Sequence, residues 1–257
     1  MTGSRCFWVC AVAWCIVGRN ILAGEFSEAR IAGKRVTVCT VDARTEQMEL
    51  FLRDDSGQAL KSFAAVEGYL TNRGQTLVFG MNAGMFQRDF SPVGLCVTGG
   101  RELAPLNTNS GYGNFFMKPN GVFLMTDTGS RVIETSEYPK LKSRVALATQ
   151  SGPLLVHSGR IHPVFNTNST SRVIRNGVGV SSAGKVVFGI SEEPVNLHEF
   201  AMLFRDVLRC PNALYLDGVI SSLHAPALKR SDKKTELGPI IGVVESNRGV
   251  RKNGERE

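Results

Sequence analysis

Residues 212–224, Asn-Ala-Leu-Tyr-Leu-Asp-Gly-Val-Ile-Ser-Ser-Leu-His, contain a short apolar run, Ala213, Leu214, Tyr215 and Leu216, that stops on the ionisable Asp217. A run of this length and character reads as a buried strand. Gly218 lets the chain turn sharply or approach a ligand closely, and Ser221 and Ser222 offer hydroxyls to a ligand or to the loop itself. A carboxylate at the end of such a strand is either a turn residue that accepts backbone N–H groups or a chemical group facing a site. The rest of the chain has to decide between the two.

Immediately upstream, Asn196 followed three residues later by Glu199 forms a capping-box pattern, and Leu197, Phe200, Ala201, Phe204, Val207 and Leu208 keep helical spacing. The spacing predicts a helix that ends at Cys210-Pro211, because proline disfavours helix in the residue before it. Further back, Gly177-Val178-Gly179-Val180 lacks the third glycine and following helix of a nucleotide fingerprint, so these are expected to be strand glycines. Ala183-Gly184-Lys185 is then the turn to a second strand over 186–190. Near the start, the β-branched alternation of 35–42 predicts a strand with 49–53 as its hairpin partner, Asp54-Asp55-Ser56-Gly57 a turn, 62–74 a helix stopped by glycine, and 76–80 another strand. Lys118-Pro119-Asn120-Gly121 predicts a hairpin turn between apolar strands within 113–125. A last strand is expected over 240–244. The fold class is α+β: one domain over 30–245 of mainly antiparallel or mixed β-sheets with a few helices, then a charged tail, 246–257, expected to lack order.

With 257 residues, 42% of them hydrophobic and 21% charged, the chain is long enough for one sizeable core. The formal charge of +7 favours acidic partners. The basic residues are scattered, with no basic helix and no aromatic-interleaved basic run, so no nucleic-acid partner is expected. Arg5, the apolar run 6–17, the polar break Gly18-Arg19-Asn20 and the small pair Ala23-Gly24 read as a secretory signal over 1–23, or as a retained N-terminal anchor. The expectation is therefore export to the periplasm or medium, with the membrane touched only through that segment if it stays uncleaved. Cys39, Cys96 and Cys210 follow the leader; three cysteines leave either one disulfide or buried thiols open, and their spacing fits no zinc site. His198 and His224 stand alone. No metal ligand set and no cofactor motif is found, so neither is expected.

Several glycine-punctuated segments share one further property, their order. Met81-Asn82-Ala83-Gly84-Met85-Phe86, Pro92-Val93-Gly94, Ser151-Gly152-Pro153-Leu154-Leu155-Val156, Arg175-Asn176-Gly177-Val178-Gly179 and Leu216-Asp217-Gly218-Val219-Ile220-Ser221 together resemble the phosphodiester glycosidases related to the mannose 6-phosphate uncovering enzyme. They span about 76–222. In that family the last motif carries a longer glycine run, and Val219-Ile220 replaces two of those glycines here. The segment 114–123 resembles a bacterial single-domain branch.

The resemblance implies hydrolysis of a sugar 1-phosphodiester, or of a phosphorylated glycan of that kind, to free sugar and phosphate monoester. A phosphate leaving group is already acidic, so such chemistry needs charge stabilisation at the sugar, an activated water and a hold on the departing anion more than a strong general acid. Asp217 is then the base, nucleophile or oxocarbenium stabiliser, Arg175 the phosphate clamp with its planar fork, and Asn82 an orienting amide. Ser151, Gly152, Gly218 and Ser221 would contribute hydroxyls or backbone donors, with Arg172 and Lys118 as second choices for the anion. Asn82 as a turn cap and Lys118 as a solvated side chain are the competing readings. No second catalytic carboxylate stands out; Glu192 and Glu193 are candidates or surface charges. Two rival functions remain: a carbohydrate-binding or exopolysaccharide-processing accessory protein without turnover, and a metal-dependent phosphoesterase, which would need an Asp/His ligand set that the sequence lacks.

Overall fold

The computed structural model describes residues 24–141 and 144–247. The expected leader, and the tail beyond Asn247, lie outside the described residues. In chain order the elements are β1 (Glu25–Ile31), β2 (Lys34–Val41), β3 (Gln47–Phe51), α1 (Phe63–Thr71), β4 (Gln75–Asn82), β5 (Cys96–Thr98), β6 (Arg101–Ala104), β7 (Gly121–Thr126) and β8 (Gly129–Glu134). They continue as β9 (Val145–Ser151), β10 (Leu154–His157), β11 (Arg160–Ile161), β12 (Asn176–Val180), β13 (Val186–Ser191), α2 (Leu197–Met202), β14 (Asn212–Asp217), β15 (Leu223–Ala225), β16 (Arg230–Ser231) and β17 (Ile240–Ser246).

The strands form three sheets, ordered β1-β2-β13-β12-β14-β10-β11, β16-β15-β4-β17-β3 and β6-β5-β9-β7-β8. Every pairing between the named strands is antiparallel. The α+β class expected from the sequence holds, with few helices and an all-antiparallel β component.

A shared core joins the sheets. Phe188 of β13 packs on Phe79 of β4 at 4.9 Å between ring centroids and on Phe123 of β7 at 6.3 Å, so one aromatic from each sheet meets in the middle. Alternation along β14 explains why its sequence is apolar throughout. Leu214 and Leu216 face this central core, while Ala213 and Tyr215 face a second one under α2. The helix α1 covers the β4 sheet with Phe63, Val66 and Leu70.

The glycine pattern of β12 is also a packing feature. A Cβ on Gly179 would meet Cys210 Sγ at 2.8 Å and Phe204 at 2.9 Å, and one on Gly177 would meet the Leu214 carbonyl at 2.8 Å. These strand glycines let the segment after α2 lie directly on the sheet.

The capping box is present as expected: Asn196 Oδ1 accepts from the Glu199 N–H at 2.9 Å, and the Glu199 carboxylate accepts from the Asn196 N–H at 3.1 Å. The helix then widens into a π turn over Leu203–Val207, closed by Leu208 N–H donating to the Leu203 carbonyl at 2.9 Å. Asn196 also donates through Nδ2 to the carbonyls of Thr167 and Ser169. Asn196→Ala is therefore expected to cost about 1–2 kcal/mol in denaturant unfolding, at the upper end of the range for a lost cap. Asn196→Asp, which keeps the cap acceptor and loses the amide donor, should fall in between.

Two sequence expectations are corrected. Residues 49–53 do not pair with 35–42: both edges of β2 are taken by β1 and β13, and β3 joins β17 in another sheet. Alternation identifies a strand but is silent on its partner. The Lys118-Pro119-Asn120-Gly121 hairpin is absent as well. Residues 114–116 form a 3-10 turn, and the partners of β7 are β8 and β9. Phe115 is buried, and the Asn120 amide donates to its carbonyl at 2.9 Å, so a local side-chain bond takes the place of a strand ladder. Cys39, Cys96 and Cys210 are free buried thiols. Burial pushes Cys96 and Cys210 up to about 12, which keeps them as unreactive thiols. Of the expected tail, Ser246 is the last residue of β17 and the Asn247 N–H donates to the Gly74 carbonyl; the rest lies outside the described residues.

Candidate functional site

Three strand termini converge: the end of β4 at Asn82, the start of β12 at Asn176 and the end of β14 at Asp217. The β12–β14 register shifts there, pairing Asn176 with Asp217 but Gly177 with Tyr215, so Leu216 is an extra residue in a bulge. Bulges bend the strand and redirect the neighbouring side chain.

Asp217 is 6% exposed. Its Oδ1 accepts three consecutive backbone N–H groups, from Gly218 at 2.6 Å, Val219 at 2.6 Å and Ile220 at 3.1 Å. All three bonds fall on one oxygen, which leaves Oδ2 for other work. Burial raises the Asp217 pKa above its ordinary value, against the lowering effect of the three amides. Both meanings of a strand-end aspartate thus coexist: one oxygen is a turn acceptor, and the carboxyl as a whole is destabilised as an anion.

Asn82 is fully buried, and its orientation follows from its partners. Oδ1 accepts from the Ser222 backbone N–H at 2.9 Å, a group that can only donate, and from Asn176 Nδ2 at 3.0 Å. Nδ2 of Asn82 therefore points away from both, and it has no hydrogen-bond partner among the described residues. An unsatisfied buried donor is costly and marks a place where a ligand or water acceptor would be bound. Asn176 Nδ2 also donates to the Asn82 carbonyl at 2.9 Å. Its Oδ1 lies 3.2 Å from Ser221 Oγ, which is 3.1 Å from the Asp217 carbonyl. Asn82 and Asp217 are thereby tied into one network.

Arg175 is 2% exposed. Nε donates to the Val195 carbonyl at 2.8 Å, Nη2 to the Ser171 carbonyl at 3.0 Å and Nη1 to the Tyr215 hydroxyl at 2.8 Å. Its backbone is clamped to Ser191 in both directions, N–H to Oγ and carbonyl from N–H, each at 2.9 Å. Among the described residues no carboxylate lies in ion-pair range of this guanidinium. The Tyr215 hydroxyl is pushed up to about 12 by burial, with the Arg175 charge pulling the other way, and the Asn114 side chain reaches the same hydroxyl. Gly218 lies against the pair: a Cβ there would sit 1.9 Å from the Tyr215 oxygen and 3.2 Å from Arg175 Nη1.

The remaining expected residues divide. Ser151 is buried and donates to the Leu216 carbonyl at 3.1 Å, bracing the bulge, and Gly152 lets the chain pass Asn120 and the Phe115 carbonyl. Ser221 and Gly218 are in the cluster. Arg172 is spent in a two-pronged ion pair with Glu199 at 2.7 and 2.8 Å. Lys118 is exposed and donates to the Thr108 carbonyl at 3.1 Å. Glu192 is bound by Thr37 and Arg230, and Glu193 by Arg35, so neither is placed to act with Asp217.

Sequence reasoning did not single out Tyr215, Asn176 or Asn114 as site residues. Tyr215 had a usable signal, since a residue two before Asp217 on a strand shares its face. No group of three or more His, Cys, Asp or Glu among the described residues is arranged to hold a metal ion. No helix among them is long and apolar enough to cross a membrane. A cleft of about 1030 Å³ opens elsewhere, beside α1, lined in part by Asp54, Lys61, Tyr69 and Lys233. It contains none of the convergent groups above.

Comparison with known proteins identifies the family. The phosphodiester glycosidase family profile matches residues 75–243, which contain Asn82, Arg175 and Asp217. The uncharacterized Escherichia coli protein YigE is 33% identical over 189 residues, 74% of this chain and 74% of its own length. The fold is similar to the zebrafish N-acetylglucosamine-1-phosphodiester alpha-N-acetylglucosaminidase catalytic domain, auto-inhibited by its pro-peptide, with a TM-score of 0.59 and 14% identity over 86% of this chain and 81% of that one. A hypothetical protein from Synechocystis gives a TM-score of 0.54 and 15% identity over 86% of this chain and 61% of its own. With the family profile running over residues 75–243, through strands of all three sheets, this chain belongs to the phosphodiester glycosidase family.

Proposed function

We propose that the protein is an exported glycoside hydrolase that cleaves a sugar 1-phosphodiester between the anomeric carbon and the phosphate oxygen, releasing free sugar and a phosphate monoester. The observation that carries this reading is the buried Arg175 guanidinium, satisfied only by neutral oxygens, beside an aspartate with one uncommitted oxygen. A buried cation without a carboxylate partner is stabilised by an anion that arrives with the substrate. Two of its N–H groups, one on each Nη, remain for a phosphate, and the planar fork suits that geometry.

In this arrangement Asp217 Oδ2 faces the anomeric carbon or the attacking water, with Oδ1 held by three amides so that the carboxylate does not rotate. Asn82 Nδ2 donates to a sugar oxygen on the other side of Asp217. The absence of a second carboxylate beside Asp217 among the described residues suits a phosphate leaving group, which departs without strong general-acid help. N-acetylglucosamine 1-phosphodiesters, named in the zebrafish relative's activity, are the first substrates to try.

The test is a panel of sugar 1-phosphodiesters with the products identified by NMR. Free sugar plus phosphate monoester supports the proposal, and sugar 1-phosphate would sink it in favour of cleavage on the phosphorus side. Binding without turnover would leave a carbohydrate-binding accessory protein. Because burial raises Asp217 and the working form is the carboxylate, kcat/KM should fall on the acid side at a pH above the ordinary aspartate value of about 4. A pH profile flat down to that value would contradict the role.

A further inference from the structure

Four buried polar side-chain atoms have no hydrogen-bond partner among the described residues: Asn82 Nδ2, Ser130 Oγ, His157 Nδ1 and His162 Nε2. The first belongs to the cluster around Asp217. Two of the others, from Ser130 and His157, are carried by residues that line one small cavity of about 290 Å³. Native interiors rarely leave such groups unpaired, so two of them around a single cavity mark a place where a polar ligand is bound.

The cavity lies where the free edge of β8 meets the far ends of β12 and β14. Residues 130–133 line it consecutively, and β8 is the last strand of its sheet, bonded to β7 alone, so its outer edge adds unpaired backbone groups. Val180 and Asn212, at the ends of β12 and β14 opposite to Asn176 and Asp217, form another wall. The cavity is thus separated from Asp217 by the 6 residues of β14, about 17 Å at the rise of a strand.

Donors dominate its lining. Arg131 is exposed and makes no ion pair among the described residues. Asn212 Oδ1 accepts from the Ser158 backbone N–H at 2.9 Å, which fixes the orientation of the amide and leaves Nδ2 for other partners. The hydroxyls of Ser130 and Ser158 can donate, and so can His157 Nδ1 in one tautomer of the imidazole. Glu137 is the one carboxylate of the lining, and it is held in a capping box, Oε2 accepting from the Glu134 N–H at 3.2 Å. A guanidinium among neutral donors matches an oxyanion with several acceptor oxygens. The volume, just under the roughly 300 Å³ at which clefts begin to enclose drug-sized molecules, limits that ligand to a small one.

We propose that this cavity is a second anion site, which binds a phosphoryl group, free or carried on a small sugar, through Arg131, Ser130, His157 and Asn212. It is independent of the chemistry assigned to Asp217.

The test is a titration of inorganic phosphate into the isotope-labelled full chain, followed through the backbone amides by NMR. Amides of Ser130, Arg131, Ser158 and Gly159 should move and saturate together, apart from those of Gly218 and Val219, which report on the Asp217 site. Arg131→Gln and Ser130→Ala should each weaken binding in the first group about tenfold and leave the second group's response unchanged. No saturable movement in the first group, or movement that both substitutions leave intact, overturns the proposal. Acetate binding there as tightly as phosphate overturns the phosphoryl assignment. Comparison of inorganic phosphate with glucose 6-phosphate identifies the source, since tighter binding of either one upholds the site and names its ligand. Without phosphate, Ser130→Ala should be at least as stable as the wild type, because it deletes a buried hydroxyl that has nothing to bond. A clear fall in Tm would show that Ser130 has a structural partner and would count against the site.

Discussion

Asp217→Asn should give a well-folded protein whose turnover of a sugar 1-phosphodiester is lower by on the order of a thousandfold or more. The substitution keeps an oxygen where Oδ1 accepts three backbone amides, so the turn after β14 survives, and it replaces the uncommitted Oδ2 by a nitrogen that can neither accept a proton nor stabilise positive charge. The stability readout separates this from a structural role. Burial raises the folded-state pKa of Asp217, so between the unfolded and folded values the native state binds more protons than the unfolded one. Stability contributed by this group is present at low pH and lost as pH rises through the folded pKa. At neutral pH the wild-type protein therefore carries a buried charge that Asp217→Asn removes, and the variant's Tm should equal or exceed the wild-type value. A clear drop in Tm at pH 7 would mean that the carboxylate is a structural clamp, and retained turnover would remove it from the chemistry.

Gly218→Ala is expected to damage the site through geometry alone. Gly218 is not in the left-handed region, so alanine meets no backbone penalty there. The difficulty is space: the new Cβ would lie 1.9 Å from the Tyr215 oxygen and 2.9 Å from Val173 Cγ2. Tyr215 is 1% exposed and bonded to Arg175, so it cannot swing aside. Overpacking of this kind costs about 1–3 kcal/mol, and a shift of the guanidinium by an ångström reduces turnover about a hundredfold. The double variant Gly218→Ala, Tyr215→Phe deletes the clashing hydroxyl. It should recover part of the stability without recovering activity, because Arg175 loses the group that aims it. Gly68→Ala, in α1 with open space around its Cβ, is the control and should raise stability by up to about 1 kcal/mol with activity unchanged. Full activity in Gly218→Ala would show that the Tyr215–Arg175 pair is not under constraint.

The contrast between β14 and the 113–125 segment shows what kind of structure a sequence discloses. Around β14 the local signals agree: a capping box, a proline stop, an alternating run and a glycine turn all concern residues within a few positions of one another. At 118–121 an equally strong turn signal was overruled, because Phe115 enters the core and β7 pairs with β8 and β9 instead of with 113–117, and core burial depends on distant segments that the turn residues do not specify. The pairing of β3 with β17, almost two hundred residues away, is of the same type. Tyr215 illustrates a middle case, visible as a strand residue on the Asp217 face but without meaning until Arg175 was found against its hydroxyl.

From its sequence alone this chain is an α+β protein with one strand, 76–80, leading up to Asn82 and another ending on Asp217, a capped helix feeding the second of them, and a motif order resembling phosphodiester glycosidases. Those properties depend on periodicity, turn chemistry and residue type, which are written locally. Only the tertiary structure decided that Arg175 is buried without a carboxylate, that Arg172 is spent on Glu199 and that Asn82 has a donor to spare. Each of those depends on which distant groups share a small volume, where the cost of an unpaired charge or donor is set by neighbours that the linear chain does not identify.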